Sequence, residues 1–64
     1  MSASEWVNAH EGTTVEIDGE TYTIVGVYGS RSAVIEDETG ARRAISSTRL
    51  RDIWMRDNTR GVFA

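Results

Sequence analysis

"STRLRDIWMRDN", residues 47–58, decides what kind of fold this chain has. Read with a helical period, Leu50, Ile53 and Trp54 fall at i, i+3 and i+4 on one face, and Ser47 or Thr48 is available as a cap. Read as an extended segment, residues 47–50 make one tight helical turn and residues 51–56 a last strand. The first reading gives an α+β chain with a C-terminal helix around residues 48–57. The second adds a closing strand and makes the chain mainly β.

Working back from this stretch, "IEDETGARRAI" (35–45) has Asp37 at the first and Gly40 at the fourth position of a turn, the pattern of a type I turn followed by a left-handed glycine. That register opposes Glu36 to Arg42, Ile35 to Arg43 and Ala33 to Ile45. Opposed charges of this kind contribute about 0.2–1 kcal/mol, so the acids serve the hairpin first. Arg43 is left without an acid beside it. Further upstream, Asp18-Gly19 in "VEIDGETYTIVGV" (15–27) is a two-residue hairpin signal. It opposes Ile17 to Glu20 and Val15 to Tyr22, so Val15, Ile17, Tyr22 and Ile24 share a face. Apolar residues on both sides of Gly26 suggest a strand buried on both faces and bent there. "GSRS" (29–32) is a turn between the two hairpins.

The first segment, "SASEWVNAHEG" (2–12), reads as a short helix. Ser2 or Ser4 can cap it, Glu5 completes a capping box with Ser2, and Gly12 is a stop signal. Trp6 and His10, four apart, share a face. Two hairpins, a short turn ending in leucine and a last strand resemble the SH3-like small barrels of the KOW and Tudor kind, over residues 13–56. The resemblance is to a pattern of strands and turns. It implies a small SH3-like barrel or sheet of four to five antiparallel strands with a short N-terminal helix. The two-residue Asp18-Gly19 loop replaces the long first loop that proline-ligand SH3 domains use, which argues against polyproline recognition. "TIVGVYGSRSAVI" (23–35) also resembles, locally, the carbon-storage-regulator family of RNA binders, whose first strand has no counterpart here.

A chain of 64 residues is one domain, residues 1–64. So small a domain buries only about 60% of its unfolded surface and often needs disulfides, metals or self-association. There is no cysteine and one histidine, so a homodimer or a partner-stabilised monomer is expected. Residues 1–10 lack signal-peptide features, and no apolar run approaches the ~20 residues of a membrane span. The expectation is a cytoplasmic protein without membrane contact.

Net charge is −3, and all 7 basic residues are arginine. Through Gly40 the charge is −7, and from Ala41 onward it is +4. This asymmetry points either to an acidic partner or to two halves that neutralise each other. Catalysis is not expected: no cysteine is present, His10 is the one imidazole, no phosphate-binding glycine loop occurs, and Glu36, Asp37 and Glu38 cluster on a hairpin tip. No cofactor or metal is implied. The expected role is a protein–protein interaction module, with Trp6, Tyr28, Arg42, Arg43, Arg49, Arg51 and Arg56 as partner-binding candidates, because arginine and large aromatics dominate interface hot spots. The apolar pair Val62-Phe63 is a second candidate surface. The alternative is a nucleic-acid-binding regulator that uses the arginine-rich C-terminal half, with arginine forks on phosphates.

Overall fold

A computed structural model describes residues 2–60, with side chains described through Arg56. The elements are α1 (Ala3–Ala9), β1 (Thr14–Ile17), β2 (Glu20–Tyr28), β3 (Ser32–Glu36), β4 (Arg42–Ser46) and α2 (Ser47–Arg60). The strands form one antiparallel sheet in the order β1-β2-β3-β4.

Both hairpins follow their turn residues. Asp18 (φ 53°) and Gly19 (φ 82°) are both left-handed, which is the two-residue turn whose twist matches flanking strands. Ile17 accordingly faces Glu20, and Val15 faces Tyr22. At the second turn Gly40 has φ 90°, and the register runs from Glu36↔Arg42 to Ser32↔Ser46. Between β2 and β3 the pairing slips between Ile24 and Gly26, so the expected bend is a bulge.

The helices settle the ambiguous stretch. Residues 51–56 are helical within α2, so the barrel-closing strand is not formed and the sheet is open. Over the described residues the chain is α+β: four antiparallel strands with two helices. The physical reason lies in Leu50, which is fully buried, with Ile53 and Trp54 packed against the same cluster. Those three positions meet one surface only on a helix, and burying a leucine contributes about 1.5–3 kcal/mol. The cap also differs from expectation. Ser46, one residue before the candidates, accepts the Arg49 N–H on its Oγ at 3.4 Å. At α1 the cap is Ser2, whose Oγ accepts the Glu5 N–H at 3.2 Å.

The core joins Trp6 and Val7 of α1, Leu50 of α2, and Val15, Tyr22, Ile24, Ala33 and Ile35 from one face of the sheet. Among the described residues only that face is covered. Val25 and Val34 are half-buried and lie outside the core cluster, so β2 is not buried on both sides as its apolar run suggested. Among the described residues no helix is long and apolar enough to cross a membrane. Val62 and Phe63 lie outside the described residues.

Candidate functional site

The arginine left over in the second hairpin marks the site. Arg43 and Ile45 stand on the helix side of β4, opposite Ile35 and Ala33 of the buried face. Because Arg43 is near the free end of β4, α2 does not reach over it, and a cleft of about 300 Å³ opens there. Its floor is apolar: Ile17, Tyr22, Ile35 and Ile45. Arg43 and, from the first turn of α2, Arg49 line one side; Asp18 and Glu20 of the first hairpin line the other.

The polar groups of the cleft are linked. Arg43 donates through Nη1 to the Tyr22 hydroxyl at 3.3 Å, and that hydroxyl donates to Glu20 Oε2 at 2.9 Å. The Arg43 guanidinium also lies 5.8 Å from the Tyr22 ring centre, within cation–π range. Buried Tyr22 thus holds the arginine from below while its hydroxyl stays hydrogen-bonded. Among the described residues no carboxylate forms an ion pair with Arg43 or Arg49. A guanidinium held in place, with no carboxylate of the described residues in ion-pair contact, can take a carboxylate or phosphate in bidentate fashion.

The remaining candidates are dispersed. Arg42 points to the uncovered face of the sheet, 4.0 Å from Glu36, and this largely exposed pair contributes little. Tyr28, 66% exposed, stands on that same uncovered face, since it pairs with Ser32. Arg56 lies seven residues after Arg49, along a neighbouring groove that also contains Asp52 and Ile53. Arg51 is about 200° around the helix from Arg49 and takes no part in either groove. Trp6 is 5% exposed: its ring stacks on His10 at 4.2 Å and meets Trp54 edge-on at 5.4 Å. As a core residue it presents almost no surface. His10 is equally committed, its Nδ1 lying 2.7 Å from the Trp6 carbonyl oxygen, to which it donates.

Sequence reasoning missed Tyr22, Asp18 and Glu20 as parts of this site. The available signal was the register: Tyr22 and Arg43 lie on the same face of strands that flank β3. The acids of the second hairpin have a different task. Asp37 Oδ1 accepts from Thr39 Oγ1 (2.6 Å), Thr39 N–H (2.9 Å) and Ala41 N–H (3.0 Å). These bonds, the Thr39 hydroxyl first, hold its carboxyl below the ordinary 3.8, opposite to what a general acid needs. No family model, curated protein or solved structure matches the chain.

Proposed function

We propose that the protein is a non-enzymatic interaction module that captures an acidic segment of a protein partner in the cleft between the first hairpin, β4 and α2. One observation carries this reading: Arg43 and Arg49, from two different elements, line a single cleft over an apolar floor, with no carboxylate among the described residues paired to either. Such a cleft suits a segment that offers one apolar and one acidic side chain. The scatter of charge supports a protein over a nucleic acid. Arg42 has Glu36 beside it, Arg49 and Arg56 flank Asp52, and Asp18 and Glu20 line the same cleft as Arg43 without pairing to it. Signs therefore alternate, and among the described residues no unbroken basic stripe follows a phosphate backbone.

The test compares ligands on one folded protein. Acidic peptides should bind the parent chain and lose about tenfold or more in affinity with Arg43→Ala plus Arg49→Ala, at unchanged circular dichroism. Duplex and single-stranded DNA should bind weakly near physiological salt. Tight DNA binding with a log–log salt slope of several units would reject the protein reading and favour the nucleic-acid regulator.

A further inference from the structure

We propose that the partner enters as an added strand: an extended segment of another protein pairs antiparallel with β4 and sets a carboxylate on Arg43. This rests on the function proposed above and specifies the form of the ligand.

The backbone of β4 supports it. Two bonds bracket the β3–β4 ladder: the Asp37 N–H donates to the Ala41 carbonyl at 2.9 Å, and the Ser47 N–H to the Arg31 carbonyl at 2.9 Å. The register between them is unbroken. Bonded and non-bonded pairs alternate along an antiparallel ladder, so Arg43 and Ile45 direct their backbone groups to β3. The N–H and C=O of Arg42 and Ala44 then point outward, and β4 is the last strand in the sheet. An edge of this kind is a template for another strand.

Side chains select the strand. Arg43 and Ile45 face the cleft, while Arg42 and Ala44 face the uncovered side. An antiparallel newcomer therefore sets one residue over Ile45 and the apolar floor, the next opposite Ala44, and the third beside Arg43 with Arg49 close by. From N to C the pattern is apolar, any, acidic. A second copy meets this poorly, because Arg42–Ser46 contains no acid and a β4-to-β4 pairing leaves both arginines without a counter-charge.

The probe is a capped peptide with Ile-Thr-Glu at the centre of a Thr/Ser host, followed by fluorescence anisotropy. Replacing Glu by Gln should weaken binding about tenfold, and Arg43→Ala with Arg49→Ala should erase that difference. N-methylation of the central Thr, which bonds to Ala44, should weaken binding about tenfold or more, because it removes a donor and blocks close approach. N-methylation of the Glu, whose N–H points away from β4, should change affinity by about twofold or less. In the protein, amide exchange of Arg42 and Ala44 should slow, while Thr14 and Glu16 on the opposite edge stay unchanged. If the Glu peptide is preferred but the two methylations are equivalent, the cleft reading stands and the added strand is wrong. If Glu and Gln peptides bind equally, or neither binds, both fall. If Arg42 and Ala44 are protected without peptide, in proportion to protein concentration, a second copy holds the edge and the proposal is overturned.

Discussion

Gly40 shows how much of this small fold rests on single backbone angles. Its φ is 90°, yet a Cβ built there would meet only Glu36 Oε1 at 3.7 Å, an ordinary contact. Space is therefore not the constraint; the left-handed conformation is. Gly40→Val should destabilise the domain by about 1–3 kcal/mol, read from urea unfolding, because a β-branched residue resists that region. The turn has a pH signature too. Asp37 is held below its ordinary 3.8 by donors that favour the charged form, the Thr39 hydroxyl foremost. The folded carboxyl thus titrates at lower pH than the unfolded one. Its contribution is complete above about pH 3.8 and disappears as pH falls through the folded value. Carboxyl NMR titration should find Asp37 titrating below 3.8, and Thr39→Ala should move it upward.

At the scale of elements, the two hairpins were legible because turn chemistry is local: Asp18-Gly19 and Asp37–Gly40 set their registers without help from the rest of the chain. Residues 47–58 were not, because Leu50, Ile53 and Trp54 fit a helix while residues 51–56 also fit a strand. What decides is the core cluster that buried Leu50 joins together with Ile24 and Ile35, a property of the assembled sheet. The site divides in the same way. Arg43 was legible as the unpaired residue of a hairpin, whereas Arg49 joins it only through the placement of α2, and Tyr22 reaches it from across β3. The head of α2 supplies a paired test. Ser46 caps through its Oγ, so Ser46→Ala should cost about 0.5–2 kcal/mol. Ser47 is 1% exposed, and its Oγ finds no hydrogen-bond partner among the described residues. Removing a buried, unsatisfied hydroxyl relieves its desolvation, so Ser47→Ala should be neutral or stabilising by about 1 kcal/mol. Thermal melts of the two alanine variants should move in opposite directions, or only the Ser46 variant should move.

The molecule is a thin slab of 35 × 31 × 16 Å, in which both helices of the described residues lie on one side of the sheet. Its radius of gyration of 11.3 Å is close to the ~11 Å expected for a folded chain of this length. A two-layer slab this small has one core, with eight buried apolar residues among those described, and no cysteine to form a disulfide, so its margin against unfolding is a few kcal/mol. A ligand that binds only the folded state then becomes a large part of total stability. At about a hundred times its dissociation constant, the Ile-Thr-Glu peptide should add about 2.7 kcal/mol. In a domain of this size that raises Tm by roughly 10–20 °C, since each kcal/mol is worth about 4–8 °C. The Arg43→Ala, Arg49→Ala variant changes two exposed side chains, so its Tm without peptide should stay near that of the parent, and the peptide should shift it far less. A Tm that instead rises with protein concentration alone would assign the missing stability to self-association through an exposed edge or the uncovered face around Tyr28 and Val34. A peptide shift of equal size in parent and variant would show that binding does not run through the two arginines.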